Sequence, residues 1–172
     1  MAGIRLPRRR LLETAFAGAA MFGAPGLLRG AEPLPPTPQQ TAGPFYPQSF
    51  PADADNDLVH VAGHAEPAKG TVTRVAGRIL DRAGKPVSGA RVEIWQCDQN
   101  GRYHHVQDGG GGRARDDNFQ GFGRTLVDAT GRYDFLTIRP VPYPGRTPHI
   151  HFAWRRRDCR PLSPKCMSKG SG

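Results

Sequence analysis

The sequence has no hydrophobic run near the roughly 18 apolar residues that a membrane-spanning helix needs. Its 172 residues hold only three cysteines, too few for a disulfide scaffold. It contains no internal repeat, and no stretch after residue 30 carries a helical period, which argues against a bundle or a solenoid. Acid is also scarce: 15 Asp+Glu stand against 24 Lys+Arg, a formal net charge of +9. Such an excess suggests nucleic acid as a partner, but only if the basic groups share the folded face that meets phosphate. Here they do not. Residues 1–30 hold five arginines and one glutamate, and residues 154–172 hold four arginines, two lysines and one aspartate. The stretch 31–153 holds thirteen residues of each sign and sums to zero. The charge belongs to the chain ends, and no nucleic-acid partner is expected.

What is present begins with an address. Arg5, Arg8, Arg9 and Arg10 precede a short apolar segment, Thr14–Leu28, rich in Ala and Gly. This is signal-peptide architecture, too short and interrupted to span a bilayer. The consecutive arginines followed by Leu11 and Leu12 point to the twin-arginine variety. Export to the periplasm or cell envelope is therefore expected over residues 1–30, with the export machinery as partner. A basic N-terminus on a cytoplasmic protein is the alternative. Residues 31–70 read as a Pro-rich lead-in and loop.

From residue 71 to 153 the period is two. Val75, Gly77 and Ile79 alternate with Arg74, Ala76 and Arg78, and Val92 and Ile94 alternate with Arg91, Glu93 and Trp95. Turn clusters stand at Asp81–Pro86 and Asp128–Gly131, and a third run covers Tyr133 to Ile138. Gly109–Gly112 is expected to be a flexible loop. Short strands with Gly/Pro punctuation predict an all-β fold, an antiparallel β-sandwich.

Side chains able to bind metal or move protons gather in two places. One is Gly101–His105, which contains Tyr103; the other is Pro142–Phe152. His149 and His151 are two apart on a predicted strand, so both imidazoles leave one face while Ile150 points to the core. Two such histidines make half a metal site. Tyr143 lies in a loop stiffened by Pro140, Pro142, Pro144 and Pro148, which lowers the entropy cost of fixing it. Two phenolates with two imidazoles would suit a hard, high-valent ion such as ferric iron, whereas zinc favours Cys or carboxylate. The plainer alternative makes Tyr103 and Tyr143 packing residues. His104, His105, His60 and His64 are not expected to be ligands. Cys97 reads as a small buried hydrophobe, Tyr46 as packing or a wall of the site, and Asp53, Asp55 and Asp57 as a solvated loop.

The segments TAGPFYP from Thr41, GKPVSGARVEIWQCDQNGRYHH and RPVPYPGRTPHIHF resemble, in order, the intradiol ring-cleavage dioxygenases. The likeness is greatest to the protocatechuate 3,4-dioxygenase branch and runs to about Phe152. It implies a non-haem Fe(III) site ligated by Tyr103, Tyr143, His149 and His151. Tyr143 and His151 would be axial, with Tyr143 the ligand that leaves; Tyr103 and His149 would be equatorial. Arg146 would lie beside the bound ring and stabilise its carbanion character. The implied activity is O2-dependent cleavage of a catechol between its two hydroxyl-bearing carbons, giving a muconate-type diacid. Association into a homo-oligomer is also implied.

After Ala153 the resemblance stops. Trp154–Arg160 does not alternate, and Leu162–Gly172 shows no core pattern. Relatives carry a glutamine and further strands here, so the closing strands of the sandwich are expected to be missing and the activity of this 172-residue product is in question. Codons permitted for Leu162–Gly170, read one base earlier, allow the string VTQMYVEG. A change of reading frame near Ala153 is therefore expected, with a divergent short tail as the alternative. Two other functions compete: a non-enzymatic β-sandwich binding module, and a ferrous or copper oxidase of another all-β family.

Overall fold

A computed structural model describes residues 32–156 and the backbone of residues 167–171. The signal segment and residues 157–166 lie outside the described residues, as does most of the tail on which the frame change was expected.

Among the described residues, six strands form two antiparallel sheets. β1 (Val72–Arg78) pairs with β4 (Arg132–Ile138), in a register that sets Val75 opposite Phe135 and Gly77 opposite Tyr133. The second sheet has the order β3-β2-β5-β6, from Phe122–Leu126, Arg91–Trp95, His151–Arg155 and Met167–Ser171. Among the described residues there is no α-helix. The alternation read from the sequence in β1 holds, with Val75 and Gly77 turned inward and Arg74, Ala76 and Arg78 outward.

The main core lies between the sheets. Val92 and Ile94 of β2 meet Phe135 and Ile138 of β4, with Phe152 and Trp154 of β5 packed against them. Each large side chain fully buried here contributes about 1.5–3 kcal/mol. Gln96 ties the layers together: its amide donates to the Ile138 carbonyl at 3.1 Å and its oxygen accepts from Thr137 Oγ1 at 3.2 Å. Leu58 and Val59, from the stretch read as a lead-in, are fully buried in this core.

A second apolar layer covers the other face of the larger sheet. Trp95, Phe122 and Ala153 are packed there with Cys97 and Tyr103, under Ala42, Phe45, Tyr46 and Ala54. β2 is therefore buried on both faces, Glu93 included. This layer carries the residues of chemical interest.

Two sequence expectations are corrected. Trp154 and Arg155 do not leave the strand: β5 runs to Arg155, with Trp154 on the core side and Arg155 paired to Glu93 across the sheet. The tail also supplies a strand, since Met167–Ser171 pairs antiparallel with β5, Ser171 opposite His151. Strand pairing is a backbone interaction and an open edge accepts a segment with no alternating pattern. The four-glycine run forms a short 3₁₀ turn, Gly110–Gly112, with Gly110 close against the Arg102 guanidinium.

Candidate functional site

The first tyrosine is delivered by the turn that follows β2. Asp98 Oδ1 accepts the amides of Asn100 and Arg102 at 2.8 and 3.0 Å, and Asp98 N donates to the Arg102 carbonyl. Gly101 makes the reversal with φ +70, a conformation that side chains with a Cβ resist. Tyr103 N then donates to Asp108 Oδ2 at 2.7 Å, which fixes the residue from its far side.

The second tyrosine sits at the start of Tyr143-Pro144-Gly145-Arg146. Arg146 N donates to the Tyr143 carbonyl at 2.9 Å, and Gly145 has φ +79. Proline then glycine at the two central positions is the pattern of a type II turn. The turn sets Tyr143 and Arg146 opposite each other as an isolated antiparallel bridge.

The two loops and the start of β5 converge. The Tyr103 and Tyr143 rings meet edge to face at 5.3 Å, Tyr143 lies 5.4 Å from the His149 ring, and Tyr103 lies 6.2 Å from that of His151. The Nε2 atoms of His149 and His151 face each other at 3.2 Å. His149 Nδ1 lies 2.6 Å from the Thr147 carbonyl. A carbonyl only accepts, so Nδ1 carries the proton and Nε2 presents its lone pair inward. Anchoring one ring nitrogen to free the other is how metal-bound imidazoles are held. Metal–imidazole bonds of about 2.0–2.1 Å at a right angle put two nitrogens ~3 Å apart, which matches the observed gap.

The electrostatics call for a cation. Tyr103 is 3% exposed and its hydroxyl has no hydrogen-bond partner. Burial, then the neighbouring Cys97 and Tyr143, pushes its phenol far above the ordinary 10.0, and Arg146 offsets only part of this. Tyr143 is near enough to contribute, yet its hydroxyl completes no hydrogen bond with that of Tyr103. An unpartnered buried hydroxyl costs about 1–3 kcal/mol, so the site is incomplete as it stands. Burial, His149 and Arg146 push His151 down to about 4, so its imidazole is neutral at physiological pH and able to ligate. Among the described residues no group of three or more His, Cys, Asp or Glu converges, so a cation here depends on the two tyrosines. One buried phenol, one half-buried phenol and two neighbouring imidazoles fit one hard ion.

The structure thus brings together Tyr103, Tyr143, His149 and His151, with Arg146 exposed at the rim. Other candidates lie elsewhere. His104 contacts Phe119 and Gly121, and His105 Nδ1 accepts the Gln107 amide. His60 pairs with Asp57 and His64 with Asn118, both exposed. Asp53, Asp55 and Asp57 each accept a backbone amide on one oxygen. The Cys97 thiol is buried, 3.7 Å from the Val141 carbonyl. Sequence reasoning missed Phe45, stacked on Tyr103 at 4.5 Å, and Trp95, stacked on His151 at 4.9 Å and 4°. It also missed Asp108. The Asp98–Gly101 turn carries an Asx-type signature ahead of Tyr103, whereas Asp108 and the aromatic stacks have no such local signal.

A profile of the family described as Dioxygenase matches residues 41–161. The chain is 39% identical over 135 residues to the protocatechuate 3,4-dioxygenase beta chain of Burkholderia cepacia, covering 74% of this chain and 57% of that one. It is 32% identical over 139 residues to the hydroxyquinol 1,2-dioxygenase of Corynebacterium glutamicum, covering 70% and 42%. The chain spans about half the length of these curated relatives. Among solved structures, it matches the dioxygenase domain of a dioxygenase carbohydrate-binding protein fusion from Streptomyces sp. SirexAA-E. That match has a TM-score of 0.60 and 27% identity, over 80% of this chain and 73% of that one.

Proposed function

Since the chain belongs to the intradiol ring-cleavage dioxygenases, we propose that Tyr103, Tyr143, His149 and His151 hold one non-haem ferric ion and that the protein cleaves a catechol-type ring. The observation that carries this is the buried, unpartnered Tyr103 hydroxyl among Tyr143 and two inward-facing imidazole nitrogens. When bound, ferric iron supplies the Lewis acidity that ionises phenols at neutral pH and makes an electron-rich catechol reactive toward O2.

The chain's own residues have separable roles. Tyr103, enclosed and held at its amide by Asp108, is a fixed donor. Tyr143 is only half-buried, on a turn at the rim, so its Oη is the group placed to take a proton from an incoming catechol hydroxyl. Arg146 stands beside it, and its charge reaches both Tyr103 and His151. A cation there favours the ionised catechol and the negative charge that develops on its ring. Phe45 and Gly43 cover Tyr103 and His151 and exclude water from that side. Both atoms of O2 enter the product, the bond between the hydroxyl-bearing carbons breaks, and a muconate-type diacid leaves.

Export through the twin-arginine route belongs to the same proposal, and cell fractionation tests it. The activity itself is tested by oxygen uptake on the iron-loaded chain with catechol and with protocatechuate. One O2 consumed per ring opened supports the assignment; ferric binding at the four residues with no uptake on either substrate contradicts it.

A further inference from the structure

The segment 42–50 covers the site, yet among the described residues no backbone hydrogen bond joins it to the sheet beneath. Side chains hold it. Phe45 stacks on Tyr103, and a Cβ at Gly43 would lie 3.5 Å from His151 Cε1. Tyr46 meets Trp95 edge-on at 5.0 Å, and Trp95 lies flat on His151. Phe50 packs on Phe122 at 4.9 Å.

Within this apolar layer sits one polar knot. Tyr46 Oη donates to Glu93 Oε2 at 2.9 Å, Arg155 Nη2 donates to the same oxygen at 2.7 Å, and Arg155 Nη2 also donates to Tyr46 Oη at 3.0 Å. The three side chains close a ring of hydrogen bonds. The Glu93 side chain is 3% exposed and that of Arg155 19%. A carboxylate buried this deeply depends on its donors, so the knot is not a loose surface pair. Burial and Glu93 push Tyr46 up to about 12, so its hydroxyl keeps the proton it donates.

We propose that Tyr46, Glu93 and Arg155 form a clamp that locks segment 42–50 onto the sheet and, through Trp95, sets the orientation of His151. All three are positioning residues, since none touches the four candidate ligands directly. Glu93 and Trp95 are two apart on β2 and share a face; Arg155 and His151 are four apart on β5 and share the same one. The clamp therefore acts on the same pleat row as His151. The consequence for metal binding rests on the ferric assignment above; the consequence for the segment does not.

The test uses the full chain without metal, comparing wild type with Tyr46→Phe, which keeps the ring and removes one oxygen, and with Arg155→Gln. Chymotryptic cleavage after Phe45, mapped by mass spectrometry, should accelerate about tenfold in each, the size expected when a hydrogen bond to a charged group is lost. The ring-current-shifted NMR signals of His151 should move toward their unstacked positions. Ferric ion, titrated separately, should bind roughly tenfold more weakly to the variants. Unchanged cleavage in Tyr46→Phe overturns the clamp, and faster cleavage with unmoved His151 signals overturns its positioning role. Should Arg155→Gln fail to fold, Tyr46→Phe decides alone. If wild type binds no ferric ion while cleavage and His151 signals both respond, the clamp stands and the metal assignment falls.

Discussion

Replacing Tyr103 by phenylalanine should change stability in opposite directions with and without metal. The side chain is 3% exposed, its ring is held by Phe45, Tyr143 and His151, and its hydroxyl has no partner. Phenylalanine keeps the ring contacts and removes only the unpaired oxygen. The metal-free variant should regain most of that desolvation cost, about 1–2 kcal/mol. For a chain of this size the melting temperature should rise by roughly 2–8 °C. Ferric ion should reverse the order. Wild type at a free ion concentration of 100 Kd gains about 2.7 kcal/mol, whereas the variant has lost a donor and gains less. Calorimetry of both proteins, chelated and iron-loaded, should therefore show the melting curves crossing. A metal-free variant that melts below wild type would mean that the hydroxyl is already satisfied by the protein, and the reasoning would fail.

Arg155→Met should cost about 3 kcal/mol in urea unfolding, the lower end for a broken buried ion pair because Tyr46 still donates to Glu93; a loss under 0.5 kcal/mol would contradict the buried pairing. Gly101→Ala places a Cβ 2.9 Å from the Pro142 carbonyl at φ +70, between the two tyrosine loops. It should cost about 2–4 kcal/mol and weaken ferric binding, whereas Gly63→Ala, at φ +85 with open space around it, should cost only about 1–2 kcal/mol and leave binding alone. Equal penalties at the two glycines would remove the steric argument. Burial, then Asp98, pushes the Cys97 thiol up to about 11, so native protein at pH 8 should resist iodoacetamide there until unfolded; rapid native labelling at Cys97, mapped by mass spectrometry, would contradict this.

The site was legible where chemistry and local geometry coincide in a short stretch. Tyr-Pro-Gly-Arg encodes its own turn, His-x-His encodes a shared face, and Tyr103 follows a turn marked by Asp98, Asn100 and Gly101. Glu93 shows the limit. Alternation in β2 reads as one polar and one apolar face, and that reading assumes only one layer covers the strand. A segment nearly fifty positions earlier covers the other face, and the charge is answered by Arg155, 62 positions later. For the same reason Trp154 and Arg155 looked like the end of a strand when they continue it. Met167–Ser171 joins the edge through backbone bonds that leave no mark in side-chain pattern.

The most direct measurement adds ferric ion to the chelated full chain and records the visible spectrum. Ionised Tyr103 and Tyr143 on one ferric ion should give a red-brown absorption at one equivalent, weakened in Tyr143→Phe and shifted when catechol is added. A chain that binds ferric ion and stays colourless would contradict the four-residue site on which the account rests.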